Sequence, residues 1–228
     1  MIARGWLGTD LNGLRKDSGT YGLYPMESLP PLEDGELDGS LSWLVPLDAE
    51  LDRSQAMYRP DDESRKGDAR RLAKLAKEAA AREIALPELF TRVMGSRELQ
   101  DQFPSSTACY FSLPEGIAEA PAPQLGHLIR FLNDQQGCLF WYLSLRPDGT
   151  QAVVVSPALL DPGEPRDGEP EIFQCADSFE EFLYRYWLEN TLWFSLTGEA
   201  TLDDPQARYA QHYRVQLQPS PRPGPSHG

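Results

Sequence analysis

GCLFWYLSL (137–145), RPDGT (146–150) and QAVVVS (151–156) follow one another in the middle of the chain and give the strongest local signal of its structure. Two apolar runs separated by a Pro-Asp-Gly turn are typical of a β-hairpin, because proline presets the backbone for the turn and glycine accepts a positive φ. The first run is apolar almost without alternation, which is typical of a strand buried on both faces. We therefore predict a sheet with the first run as a central strand and with helices on one side.

A further strand and a long helix are expected after the hairpin. EIFQC (171–175) predicts the strand, and Ser178 with Glu181 has the spacing of a capping box, in which each side chain satisfies a free amide at the helix start. Apolar side chains then recur at helical spacing, at Phe179, Phe182, Leu183, Tyr186 and Trp187. This pattern predicts a helix docked on the sheet with Gly198 as its stop, and Asp204 is suited to start a last short helix.

Helices are also expected before the hairpin. The stretch 68–83 carries apolar residues on one narrow stripe, and Pro87 and Ser96 are suited to begin two shorter helices. TACYFSL (107–113) predicts a strand. The remaining positions of the first helix are rich in arginine and lysine. Contact with solvent or with the protein's own acidic half is the favoured interpretation of these residues, and docking of an acidic partner is the alternative.

The chain divides into three parts by composition. Residues 1–60 are rich in Gly, Pro and acidic residues without sustained periodicity, so we expect a poorly ordered extension. Trp6 and Trp43 are the exceptions, and LSWLVPL (41–47) is expected to form a short strand or hook against the core. Residues 61–214 predict an α+β domain, with an antiparallel sheet of about four to six strands covered by N-terminal and C-terminal helices. Residues 215–228 predict a disordered Pro-rich tail.

The net charge of −14 limits the classes of partner. Residues 104–228 hold 16 acidic and 7 basic residues, and a surface with this balance repels nucleic-acid phosphates and anionic lipids. We therefore expect no nucleic-acid or membrane partner, and we expect a basic partner to be attracted. Because no apolar run is long enough for a membrane helix or a secretory leader, the sequence predicts a cytoplasmic protein.

The sequence offers one weak catalytic grouping. His127, Asp134 and Cys138 are the residue types of a thiol hydrolase, in which a base activates the thiol and a carboxylate orients the base. A structural role is the favoured interpretation, because Cys109, Cys138 and Cys175 all lie in apolar segments and predict buried, reduced thiols. The sequence contains no CxxC, HExxH or GxxxxGK motif. We therefore predict no catalytic residues, no metal site and no cofactor.

Four segments, taken in order, resemble the SUKH superfamily. They are Leu86 with Pro87 in a helix, residues 134–145, residues 153–155, and residues 178–183 of the closing helix. The resemblance covers residues 60–196, while MGSREL replaces the family's N-G-G-type turn and residues 1–60 have no family counterpart. It implies a non-enzymatic α+β module that bacteria widely use as an immunity protein against a polymorphic toxin.

Our first hypothesis is therefore an immunity-type protein that occludes the active site of a basic toxin domain. The turn at 133–136 and the acidic loop at 157–171 are the expected contact regions, since long polar loops in compact domains are often functional. The candidate contact residues are Asn133, Asp134, Gln135, Gln136, Asp161, Glu164, Asp167 and Glu169. Three alternatives stay open: solvated connectors at these positions, a scaffold or regulatory protein with the same fold and no toxin partner, and a hydrolase that uses Cys138 and His127.

Overall fold

The chain adopts an α+β fold in which helices both precede and follow the main strands in sequence. The computed structural model describes residues 2–15, 19–32, 37–59, 67–165, 168–198 and 203–216. The helices are α1 (Ala49–Ala56), α2 (Asp68–Ala81), α3 (Glu88–Met94), α4 (Arg97–Gln100), α5 (Phe179–Thr197) and α6 (Asp204–Gln216). The strands are β1 (Ala3–Arg4), β2 (Trp6–Gly8), β3 (Gly22–Tyr24), β4 (Tyr110–Phe111), β5 (Ala118–Glu119), β6 (His127–Asn133), β7 (Phe140–Leu145), β8 (Gln151–Ser156) and β9 (Phe173–Ala176).

The main sheet is mixed and mostly antiparallel. Its strand order is β1-β9-β8-β7-β6-β4, and β5 also pairs with β6. Neighbouring strands are antiparallel except β1, which runs parallel to β9. Within the described residues the sheet therefore has seven strands, one more than the upper limit predicted. The two-residue strands β1 and β5 are too short to show any periodicity in the sequence.

The predicted central hairpin is confirmed. β7 and β8 pair from Phe140 opposite Ser156 to Leu145 opposite Gln151, and β7 lies between β6 and β8. The strand β6 is not among the strands that the sequence predicts. Its pairing with β7 shifts register between Arg130 and Leu132, and such a bulge hides the alternation that would identify a strand.

Side chains of the sheet enter two separate apolar clusters. In the main cluster, the Phe131 ring of β6 lies 5.0 Å from Phe179 and 5.3 Å from Phe182 of α5, and 6.4 Å from Phe90 of α3. The second cluster joins sheet residues to residues of the connecting segments, and its members are Ala118, Leu125, Leu128, Tyr142, Val154 and Leu160. The sheet is therefore buried on both faces, as the unbroken apolar sequence of β7 predicts.

The long helix α5 begins where the capping pattern predicts. The Ser178 hydroxyl accepts a hydrogen bond from the Glu181 amide at 3.1 Å. The Glu181 carboxylate accepts from the Asp177 amide at 2.7 Å, one residue before the position expected for a capping box. The helix ends at Thr197, and Gly198 follows with φ of 88°, in the left-handed region that favours glycine.

Residues before position 60 pack against α5. The rings of Trp6 and Phe182 lie 5.6 Å apart, and those of Trp43 and Trp187 also lie 5.6 Å apart. The stretch 41–47 forms a turn closed by the Leu44 amide on the Leu41 carbonyl, so it is the hook of the two predicted forms and not the strand. The described part of 1–60 thus contributes to the core, which differs from the loose extension that composition predicts. Isolated anchors in irregular backbone carry no periodic signal.

The sequence predicts a disordered C-terminal tail and no membrane-spanning helix. The predicted tail, 215–228, lies outside the described residues apart from the last two backbone positions of α6. Across the described ranges, none of the helices combines the length and the hydropathy needed to cross a membrane.

Candidate functional site

A groove of about 900 Å³ lies beside α2. Its lining comes from the end of α1, one side of α2, the segment 110–116, and parts of the two connections predicted as contact regions. The strand register explains why the two connections meet. Asn133 pairs with Phe140 and Phe140 pairs with Ser156, so the turn after β6 and the loop after β8 leave the same end of the sheet.

Three of the eight candidate contact residues line this groove, namely Gln135, Asp161 and Glu164. Gln136 is exposed in the same turn as Gln135. Glu169 is exposed but lines a separate depression of about 320 Å³, with Ile2 and Ile172. Asp167 lies outside the described residues. The structure therefore brings part of the candidate set together and leaves Glu169 apart from it.

Asn133 and Asp134 are buried, which corrects the expectation that their side chains face a partner. The Asp134 carboxylate accepts from the Gln136 amide at 2.9 Å, the Cys138 amide at 3.2 Å and the Tyr21 hydroxyl at 2.7 Å. Burial raises the pKa of Tyr21, so this hydroxyl stays protonated as a donor. Asp134 thus organises the turn from inside, a common use of Asp in turns.

Asp161 is held within the protein. Its carboxylate accepts from Nε of Arg130 at 3.0 and 3.1 Å and from the guanidinium NH2 nitrogen at 2.8 Å, with the two side chains 16% and 13% exposed. The Tyr142 hydroxyl also accepts from the Leu160 amide at 2.8 Å and donates to the Ala158 carbonyl at 3.2 Å. The first part of the 157–171 loop is therefore anchored to β6 and β7.

One side of the groove is basic. Arg71 and Lys74 of α2 line the groove, and Arg70 lies beside them outside the lining. These three residues, which we call the basic wall, contact the single carboxylate of Glu115 at 2.9, 3.3 and 3.2 Å. Hydrogen bonds from Arg71 and Lys74 lower the pKa of Glu115. Arg71 also pairs with Asp68 at 3.2 Å. The basic face of α2 therefore lies at the edge of the groove.

Two large apolar side chains line the groove beside α1, next to Arg59. Met57 is 76% exposed and Tyr58 is 47% exposed, and they are adjacent in the chain and both line the groove. Single exposed apolar side chains are common, but two large ones in one cavity are a feature of binding surfaces. Sequence reasoning missed them. The only signal was a pair of large apolar residues within the otherwise polar stretch 52–64.

The thiol grouping considered in the sequence does not assemble. His127 begins β6 and Cys138 follows its far end, so the length of the strand, about 20 Å, separates them. The His127 ring nitrogen Nε2 instead lies 3.1 Å from Glu119. Cys138 is exposed, which corrects the prediction of a buried thiol, because the turn at 134–138 lies outside the strand.

The other two cysteines lie further inside. The Cys175 thiol is buried and donates to the Val153 carbonyl at 3.4 Å, and burial raises its pKa. The half-buried Cys109 thiol lies 3.4 Å from the Tyr21 hydroxyl and 3.3 Å from the Thr107 hydroxyl. Burial raises the pKa of Cys109 as well, which disfavours the nucleophilic thiolate.

Within the residues that the structure describes, no group of three or more His, Cys, Asp or Glu side chains is arranged to hold a metal ion. The groove combines ion pairs, cations of α2 and two exposed apolar side chains, Met57 and Tyr58. Comparisons of the chain with protein-family models, with curated proteins and with solved structures find no match.

Proposed function

We propose that this protein is a non-enzymatic protein-binding module that holds its partner at the groove beside α2. We further propose that its role is that of an immunity protein, which neutralises a toxin by covering the toxin's active site. The resemblance of residues 60–196 to the SUKH superfamily supplies the immunity role, and the groove supplies a place for the contact.

One observation carries the proposal. The two connections that the sequence predicts as contact regions deliver Gln135 and Glu164 to the same groove that exposes Met57 and Tyr58. Tyrosine is enriched among the residues that dominate interface energies, and a few such anchors supply most of the affinity. An apolar anchor with a polar rim is the usual composition of an interface between proteins.

The groove is also prepared for binding. The Arg130–Asp161 pair fixes the loop, and the contacts to Glu115 order the long side chains of the basic wall. Groups that are already ordered lose less conformational entropy on association. The net charge of −14 would at the same time attract a basic toxin domain over a long range and speed the encounter.

A photo-cross-linking experiment in the native host tests this function. A photoreactive amino acid replaces Tyr58 in the full chain, and a second variant carries it at Leu23, which is 49% exposed and outside the groove. We expect the Tyr58 variant to cross-link the product of a neighbouring toxin gene and the Leu23 variant to give no such adduct. Equal labelling from both positions would contradict the assignment of the groove.

The same experiment separates the two roles. A single toxin domain recovered from the Tyr58 position supports the immunity role. Protection against that toxin of cells that contain this protein would support it further. Several unrelated housekeeping proteins recovered from Tyr58 would instead favour a scaffold or regulatory protein with the same groove.

A further inference from the structure

The charges of the basic wall support an inference about the chemistry of the partner. This inference rests on the proposed binding role of the groove. We propose that the partner segment entering the groove carries an aspartate or glutamate beside a large apolar residue. In the complex, the carboxylate would lie against Arg70 and Lys74, and the apolar side chain would lie against Met57 and Tyr58.

The charges on this side of the groove do not balance. Three cations, Arg70, Arg71 and Lys74, share the one carboxylate of Glu115, and among the described residues only Arg71 has a second acidic partner, Asp68. The cluster of these five side chains therefore keeps a positive charge. Arg70 and Lys74 are exposed to solvent, so each can donate hydrogen bonds to another carboxylate.

Elsewhere in the groove lining, Arg59 is paired with Asp52 at 2.6 Å and lies 3.6 Å from Asp101. Arg130 faces the 157–171 loop and is bonded by Asp161, so it adds no free cation, and Glu164 on that loop is exposed. The groove thus has exposed cations at α2 and an exposed carboxylate, Glu164, on the loop. A segment that presents its carboxylate to α2 is attracted there and would be repelled by Glu164 if it bound in the reverse orientation.

A local preference for a carboxylate is compatible with attraction of a basic domain. The net charge of −14 acts through the summed field of the whole surface, whereas recognition in the groove depends on contacts of a few ångströms. Arginine and lysine held in place by Glu115 and Asp68 are preorganised for a charge-assisted hydrogen bond to such a segment.

A random peptide library displayed on phage tests the inference and does not require the partner to be identified. The full chain serves as bait, and enriched peptides are synthesised with a fluorophore for measurement of Kd by anisotropy. We expect enriched peptides to share an acidic residue next to an aromatic or long aliphatic residue. Enrichment of basic peptides, or of none, would overturn the proposed chemistry.

Three variants locate the contact. Charge reversal of the basic wall, Arg70→Glu with Lys74→Glu, is expected to weaken binding of the selected peptides about ten-fold or more. Lys77→Glu reverses one exposed charge on the same helix, outside the groove lining and the cluster around Glu115, and it should alter Kd by less than about two-fold. Glu115→Gln removes the competing carboxylate and should tighten binding. Thermal unfolding of each variant verifies that it is folded.

The outcomes distinguish this inference from the proposed function. Peptides that bind the reversed variant more tightly, yet lose affinity on Tyr58→Ala, would overturn the carboxylate preference and leave the groove as the binding site. Peptides insensitive to changes at Tyr58, Arg70 and Lys74 alike would contradict the groove itself.

Discussion

Arg15 and Glu189 form a buried ion pair that ties the N-terminal segment to α5. The two terminal nitrogens of the Arg15 guanidinium lie 2.6 and 2.7 Å from the two carboxylate oxygens of Glu189, and the side chains are 4% and 5% exposed. Glu189 also accepts from the indole nitrogen of Trp6 and from the Tyr209 hydroxyl, both at 2.7 Å. One carboxylate therefore joins three parts of the chain that are distant in sequence.

Replacement of Arg15 should strongly destabilise the fold. Arg15→Met leaves the Glu189 carboxylate buried without its cation, and loss of one partner of a buried pair costs about 3–5 kcal/mol. The free energy of unfolding by urea measures the effect. Arg4→Met is the matched control, because the Arg4–Asp177 pair is exposed and its loss should cost less than about 1 kcal/mol. Equal costs would contradict a structural role for the buried pair.

The stability of the Arg15→Met variant should also depend on pH in a particular direction. Burial disfavours the charged form of Glu189, but the attraction and hydrogen bonds of Arg15 outweigh it and keep the pKa below its usual value. In the wild type this contribution is present above the unfolded pKa of about 4.3 and is lost as pH falls through the folded pKa. Without Arg15, burial raises the folded pKa instead, so protonation relieves the cost.

The deficit of Arg15→Met relative to the wild type should therefore be largest near neutral pH and should shrink as pH falls towards 4. Urea unfolding of both proteins between pH 4 and 7 measures the difference directly. A deficit that stays constant over this range would mean that Glu189 does not change its protonation in the variant.

Sequence patterns predicted the parts of the fold that depend on neighbours along the chain. The hairpin of β7 and β8 and the start of α5 at Ser178 follow from turn chemistry and from capping. The buried position of Arg15 could not be predicted in this way. It depends on Glu189, 174 residues away, and nothing in either local sequence specifies that distance.

The same limit applies to the candidate site. Polar composition predicted connections at the turn containing Gln135 and at the loop containing Glu164, and both lie at one end of the sheet. It could not separate them from Asp134 and Asp161, whose carboxylates are used inside the protein. A carboxylate in a loop has the same sequence signature whether it faces a partner or bonds the backbone beside it.

Ser178→Ala should cost about 1 kcal/mol of stability. The hydroxyl of Ser178 satisfies the Glu181 amide at the start of α5, and alanine cannot accept that hydrogen bond. Ser178→Asp preserves an acceptor at the cap and should retain most of the stability. Thermal unfolding of the two variants provides the comparison, and an alanine variant as stable as the aspartate variant would show that the cap contributes nothing.

Asp161 and Glu164 should respond differently to replacement, although both belong to the same acidic loop. Asp161→Ser removes the partner of a largely buried Arg130 and should cost about 1.5–3 kcal/mol, the range for hydrogen bonds to charged groups. Glu164→Ser changes an exposed side chain and should stay within about 0.5 kcal/mol. Denaturant unfolding distinguishes them, and two equal values would contradict the anchoring of the loop.

Tyr58→Ala should weaken binding of the partner without weakening the fold. The ring is 47% exposed in the groove beside α1, and loss of an aromatic anchor at an interface typically costs about 2 kcal/mol of binding free energy, or roughly thirty-fold in Kd. Leu23→Ala removes an apolar side chain of similar exposure outside the groove, so it should leave Kd unchanged. Titration calorimetry with the purified partner that cross-linking identifies measures both dissociation constants. A smaller effect at Tyr58 than at Leu23 would place the interface elsewhere on the molecule. Both substitutions remove apolar area, and the loss should weaken binding only where the partner buries that area.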